Sequence, residues 1–408
     1  MTPAEAAEGA ARRSYGKLVA FLSARTRDVA GAEDALSEAF AAALADWPQR
    51  GVPDNPEAWL LVVARRKRVD AVRARVHGEA AAEHLQLLAQ TAEPEHSASG
   101  LPDRRLELLF ACAHPAIDRA LRAPLMLQAV LGFDAATIAS AFLVAPAAMS
   151  QRLVRAKTKI RQAGIAFQVP ERSQLPERLD SVLEAIYAAY AEGWSDAEGA
   201  DPMRRNLADE AIWLGRLVVA LLPDEAEALG LLALMLHAHA RRRARRDAQG
   251  EYVPLAAQDI ALWDSDMIDE AESLLLRASR HGVPGRYQLE AAVQSAHCVR
   301  RREGRADWAA IVTLYEALHA LTGSPVAALN RAVALAQAEG TDAGLAALEA
   351  LAGDARLAQY QPYWAARAEL LSRSGALAQA LEAYQQAIGL ERDPAVRRHL
   401  QRRAALLG

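Results

Sequence analysis

The chain has little of what would staple, anchor or pleat a protein. Only Cys112 and Cys298 occur, too few for a disulfide framework, and that scarcity points to a reducing compartment. No uninterrupted apolar run reaches bilayer-spanning length, and residues 1–28 contain no apolar signal-peptide core, so a cytoplasmic location without a membrane partner is expected. Aromatic residues make up 5% of the chain and strand-like alternating runs are hard to find. There is no excess of positive charge either. A net charge of −4 excludes a general cationic coat, so nucleic-acid contacts have to come from local faces. Cys112-x-His114 has no matching second pair, and reads as a buried thiol beside a loop histidine rather than a zinc site. No catalytic constellation stands out, so neither enzymatic activity nor a cofactor or metal is expected.

What remains is a core-forming chain, 52% apolar and rich in Ala, Leu, Arg and Glu. An all-α fold follows from that composition and from the helical spacing of its apolar residues. Its 408 residues suffice for two or three domains.

The most informative stretch is FDAATIASAFLVAPAAMSQRLVRAKTKIR, Phe133 to Arg161. Ile138, Ala139 and Phe142 stand one turn apart on a first short helix, and Leu143-Val144 form a corner. Pro146 then opens a second helix, where its missing N–H costs nothing. On that helix Met149, Leu153 and Ala156 face inward, leaving Ser150, Gln151, Arg152, Arg155, Lys157 and Lys159 for the outer face. An apolar back with a polar, cationic front is what a helix-turn-helix reader of duplex DNA needs.

Upstream, three helical patterns fill residues 10–75. The first carries Tyr15, Leu18, Val19 and Leu22. The second, about Val29 to Trp47, sets Leu36, Phe40 and Leu44 on an apolar stripe and Glu33, Asp34 and Glu38 on an acidic face. Pro48, Gly51, Pro53, Asn55 and Pro56 form a break that no regular element absorbs. The third helix reads AWLLVVARRKRVDAVRAR: Trp59, Leu60, Val63 and Val69 inward, and Arg65, Arg66, Lys67, Arg68, Arg73 and Arg75 outward or at the margin. Such cations neutralise phosphates, and Trp59 beside the Pro-rich loop offers a stacking surface for an unpaired base. Read locally, Trp59 serves equally as core and the arginines as a solvated face.

Residues 76–102, rich in Ala, Glu, His and Ser, read as a flexible linker. A second break at Val169 to Pro176 precedes a region helical to the end. There Trp364, Ala368, Leu371, Gly375, Ala380, Tyr384 and Ala387 stand at tetratricopeptide offsets, and looser helix pairs upstream suggest a stacked array. RRRARRDAQGE, Arg241 to Glu251, reads as a solvated helix end or as a contact to DNA or to a partner protein. Trp194, Asp259, Trp263 and Asp264 fall in a loop-rich stretch suited to holding a ligand or to packing against the N-terminal domains.

In order and spacing, AEDALSEAFAAALADWP (Ala32 to Pro48), the basic helix after it and the helix-turn-helix resemble the extracytoplasmic-function sigma factors of bacterial RNA polymerase. The resemblance extends through LPERLDSVLEAIYAAYAEGWS, LGLLALMLHAHARRRAR, PGRYQLEAAV and SPVAALNRAVA to the subgroup with a long tetratricopeptide-like C-terminal extension. It implies sigma region 2 over residues 10–75, region 4 over 103–168 and a regulatory helical domain over 175–408. The implied partners are core RNA polymerase, through its clamp and flap regions, and promoter DNA, with a protein or small ligand for the C-terminal domain.

By the same resemblance, Glu33, Asp34 and Glu38 meet the polymerase clamp, although Ser37 stands where the family usually has Gln. Asn55, Trp59, Arg65, Arg66, Lys67, Arg68 and Arg73 hold the melting −10 element. Ser150, Gln151 and Arg155 face −35 bases, while Arg152, Lys157 and Lys159 position the helix on phosphates. The competing reading is a tetratricopeptide scaffold tethered to DNA by its N-terminal half, in which the acidic helix has no clamp to meet.

Overall fold

The computed structural model of the protein describes residues 2–24, 26–75, 104–142, 144–194, 202–282 and 284–407. The 76–102 linker and Leu143 lie outside them, as do the side chains of Arg73, Arg75 and Trp194. The described residues are all-α, with one isolated antiparallel bridge between Arg246 and Tyr252. They divide into two compact units, one reaching from the N-terminus to Trp194 and including Pro202–Leu214, the other formed from Gly215 onward. The division falls inside a helix and not at the Val169 to Pro176 break.

The first unit begins with α1 (Pro3–Ser23), α2 (Val29–Arg50) and α3 (Pro56–Arg75). Each has a local reason to start where it does. Thr2 and Glu5 form a reciprocal capping box at α1, with Glu5 N–H donating to Thr2 Oγ1 at 3.2 Å and Thr2 N–H to Glu5 Oε2 at 2.7 Å. Asp28 caps α2 by accepting from Gly31 N–H at 3.1 Å, and Asn55 caps α3 by accepting from Ala58 N–H at 3.0 Å. Pro48 does not end α2 as the sequence led us to expect. A proline near a helix end removes a single hydrogen bond, and the chain turns only at Gly51, whose φ of +86° suits glycine. Leu18, Val19, Leu36 and Leu60 form the shared core with no exposure, whereas Leu44 is 53% exposed and leaves the expected stripe.

Next come α4 (Arg105–Cys112), α5 (Arg119–Leu131), α6 (Ala135–Ala141) and α7 (Pro146–Gln162). Pro146 occupies the first turn of α7. Helices α4 and α5 pack on α1, where Gly16 approaches the Val130 carbonyl so closely that any Cβ would strike it. Helix α8 (Leu175–Trp194) and the start of α9 (Pro202–Leu221) complete the unit. Arg178 donates to the Phe110 carbonyl at 3.4 Å, and Arg105 pairs with Glu210 while lying 3.9 Å over the Trp213 ring.

The second unit centres on α10 (Ala226–Ala240), apolar on nearly every face and almost wholly buried. Around it pack α11 (Ser265–Ala278) and α12 (Arg286–Cys298). The Glu227 carboxylate accepts from the N–H groups of Tyr287 and Gln288, at 2.9 and 3.2 Å, and so closes the positive end of α12. The chain continues through α13 (Arg300–Glu303), α14 (Trp308–Thr322), α15 (Pro325–Ala338), α16 (Thr341–Glu349), α17 (Gln361–Arg373), α18 (Leu377–Leu390) and α19 (Pro394–Ala405), with α14 to α19 each packing on the next. Small buried residues bring α17 and α18 together: Ala368, Ala380 and Ala387 have no exposure, and Tyr384 fills the gap.

Candidate nucleic-acid interface

Helix α3 presents the cations expected to grip the −10 element, but not all of them face water. Arg66 and Lys67 are exposed, Lys67 resting 3.4 Å from Glu38 across the α2–α3 surface. Arg65 lies over the Phe21 ring at 5.1 Å. Arg68 turns inward and is 7% exposed, donating to the Leu22 carbonyl at 2.5 Å and to Thr26 Oγ1 at 2.7 Å. Burial pushes its guanidinium below the usual arginine range. Arg68 is one helical turn beyond Ala64, on the stripe that also buries Leu60 and Leu61.

Trp59 is half-buried and braced edge-on by Trp47, ring centres 5.5 Å apart at 66°. Trp47 is 1% exposed and is the core member of the pair, so the half-exposed ring beside the 51–55 loop belongs to Trp59. Asn55 is exposed, and its side-chain oxygen is engaged as the α3 cap. On α2, Asp34 and Glu38 face solvent.

Helix α7 buries Met149, Leu153, Ala156 and Ile160 and exposes Ser150, Gln151, Arg152, Arg155 and Lys159. The expected division of faces is present for all but one residue. Lys157 does not face outward; it is 8% exposed and its Nζ lies 2.5 Å from Glu33 Oε2. Lys157 lies four residues past Leu153 and three before Ile160, so the buried stripe itself includes it. Its acid, Glu33, is also largely enclosed, with 13% of the side chain exposed. Burial holds that carboxyl above the usual carboxylate range, and Lys157 offsets the rise only in part. Oε1 of Glu33 finds no hydrogen-bond partner.

Two further contacts follow the same seam, and neither is visible in the sequence. Arg161 approaches Asp28 at 3.8 Å, and Arg27 donates to the Gly164 carbonyl at 2.9 Å. Those partners are more than 130 residues apart, so no local periodicity can pair them. The short-range reading of Cys112 and His114 is the structural one: the thiol is fully buried, and His114 Nδ1 accepts from Ala116 N–H at 3.1 Å.

In the second unit the loop residues are structural. Asp259 caps a short turn and Asp264 caps α11, accepting from Ala261 and Met267 N–H at 2.9 and 3.0 Å. Trp263 is packed among Ala240, Ala244, Ile268 and Cys298. Within the basic run, Arg246 pairs with Asp393 at 2.5 Å, and Glu251 holds Arg398 and Arg402 at 2.7 and 2.9 Å.

Among the described residues no helix is long and apolar enough to cross a membrane. Residues 11–77, from within α1 through α3, match Sigma-70 region 2. Residues 178–279 match a family of unknown function, DUF6596. A protein of Rhizobium meliloti (strain 1021), Uncharacterized protein R00370, is 42% identical over 368 residues, 88% of this chain and 86% of its own length. No solved structure matches the chain.

Proposed function

We propose, for a chain that belongs to one family with its rhizobial relative and carries a sigma-70 region 2, that it is an extracytoplasmic-function sigma factor directing promoter-specific initiation. The observation that carries the reading is the match of α1 to α3 to Sigma-70 region 2, joined to the exposed acids of α2 and exposed cations of α3. Asp34, Glu38 and, once accessible, Glu33 orient the protein on the cationic clamp of core polymerase. Asn55, Trp59, Arg65, Arg66 and Lys67 take the −10 element, with phosphates on the cations and an unpaired base on the Trp59 ring.

Helices α4 to α7 serve as region 4, engaging the polymerase flap region and the −35 element. Ser150, Gln151 and Arg155 reach base edges, and Arg152 and Lys159 reach phosphates. The protein acts in the cytoplasm and by binding; bond formation belongs to the polymerase. The second unit, a tetratricopeptide-like array, regulates that activity and offers the surface for a further partner.

Transcription in vitro with core polymerase tests this. Added protein should give discrete transcripts from promoters upstream of its own gene or its neighbours. Core binding without promoter-directed transcripts on any of them would sink the reading.

A further inference from the structure

Helices α11 and α12 both pack on α10 and only lightly on each other, so a groove is left between them. Leu275 and Leu276 follow Glu272 by three and four residues on one face of α11, and Ala292 follows Leu289 by three on α12. With Leu314 of α14 they line a cavity of about 440 Å³, a size that takes a small molecule. Two further polar side chains border it, and both are already engaged. Gln288 Nε2 donates to Glu227 Oε1 at 3.2 Å, and Ser279 Oγ donates to the Leu276 carbonyl at 2.9 Å. The walls around Glu272 are mostly apolar, and Leu276 at the rim is 60% exposed.

Glu272 has no cation to answer it there. Its Oε1 accepts from Ser295 Oγ at 2.7 Å and lies 3.7 Å from His237 Nε2, whereas Oε2 has no hydrogen-bond or ion-pair partner among the described residues. The histidine behind it does not fill that gap. His237 is fully buried, and burial, then Arg241, push its imidazole down to about 4, so the ring is neutral. With Nδ1 accepting from the Cys298 thiol at 3.6 Å, the ring proton sits on Nε2, which finds no hydrogen-bond partner and is aimed at the carboxylate. A neutral imidazole orients a carboxylate without neutralising it. The negative charge is left to whatever enters the groove, where low polarity strengthens a charge-assisted hydrogen bond.

We propose that this groove is a binding site for a small organic ammonium ion, whose cation meets Glu272 Oε2 while an apolar body lies on Leu275, Leu276, Leu289 and Leu314. Charge complementarity selects this class. A carboxylate ligand is repelled, a neutral one leaves Oε2 short of a hydrogen bond once water is displaced, and a wholly polar cation gains nothing from the apolar walls. Bound there, the ligand joins α11 directly to α12, which the chain itself joins mainly through α10. The inference goes beyond promoter recognition and concerns the second unit alone, so binding decides it whether or not the protein directs transcription.

Calorimetry on the full chain near neutral pH tests it with three probes that share one tail: octylamine, which is protonated there, octanol and octanoate. Octylamine should bind roughly tenfold more tightly than octanol, or better, as expected of a hydrogen bond to a charged group, and octanoate should not bind. Glu272→Gln should remove the preference for octylamine over octanol. Leu276→Arg, at a position exposed enough to spare the fold, should set a guanidinium over the groove and abolish octylamine binding. Octanol that binds wild type as tightly as octylamine overturns the proposal and marks the groove as a docking face for an apolar segment of another protein. Should Glu272→Gln not fold, octylamine binding that survives Leu276→Arg unchanged places the ammonium elsewhere and overturns it equally. So does a wild type that takes up no octylamine.

Discussion

At the scale of single residues, burial separates cations that resemble one another in sequence. Arg155 and Lys159 are both exposed on α7, but a planar guanidinium can read a base edge bidentately, whereas an ammonium acts on phosphate as a point charge. Arg155→Ala should cost about 1–3 kcal/mol on the preferred upstream element and relax the preference at one position. Lys159→Ala should weaken binding to all sequences alike and lower the salt slope by about one. Titrating labelled duplexes at several salt concentrations separates them, and identical behaviour of the two variants would show the reading face to be misassigned. Arg68 belongs to neither class. With its guanidinium spent on the Leu22 carbonyl and Thr26, Arg68→Met should leave the salt slope intact. Thermal unfolding should instead show a loss of about 1–3 kcal/mol from the orphaned buried carbonyl.

At the scale of elements, what the sequence made legible was whatever depends on neighbours in the chain. Helix type, the Pro146 start of α7, the inward set of Met149, Leu153 and Ala156 and the close α17–α18 pairing all follow from spacing or small size. Ending α2 at Pro48 was too strict, because a proline in a final turn sacrifices only one bond. Lys157 and Arg68 carry charge, yet three- and four-residue offsets from buried neighbours set them on the inner stripe. Arg27–Gly164 was beyond reach, since only the folded chain brings it together. Helix α10 shows another limit, for a helix buried on nearly every face carries no amphipathic signal for its two histidines. His237 is fully buried, its Nδ1 3.6 Å from Cys298 Sγ and its Nε2 3.7 Å from Glu272 Oε1. Burial, and then Arg241, push its imidazole down to about 4. Because the folded value lies below the unfolded one of about 6.5, the stabilisation is complete above pH 6.5. It is lost as the pH falls toward 4, by about 3 kcal/mol at most. Urea unfolding followed from pH 7 to pH 4.5 should show that decline, and His237→Gln should be flatter over the same interval. Equal slopes would mean that His237 is not held neutral.

At the scale of the whole molecule, the division between the two compact units does not fall at the break before Pro176. Helix α8 lies beyond that break, yet it packs on α4 and α5 and buries Leu179, Val182, Leu183, Ile186 and Tyr190 to 4% exposure or less. Arg178 and the Arg105–Glu210 pair tie the same region to α4. The DUF6596 match, residues 178–279, accordingly spans the division between the two units. A chain ended at Pro170 would uncover the side of α4 and α5 that α8 now covers. Five large side chains at about 2 kcal/mol each make roughly 10 kcal/mol of lost burial, as much as the total stability of a typical domain. The expected outcome is a poorly soluble product without a cooperative unfolding transition, so a loss of transcription from it would report unfolding and not loss of regulation. Calorimetry of the truncated chain beside the full one checks this. A sharp transition for the first unit in the shortened protein would show that α8 is dispensable, and that the extension begins where the sequence alone would place it.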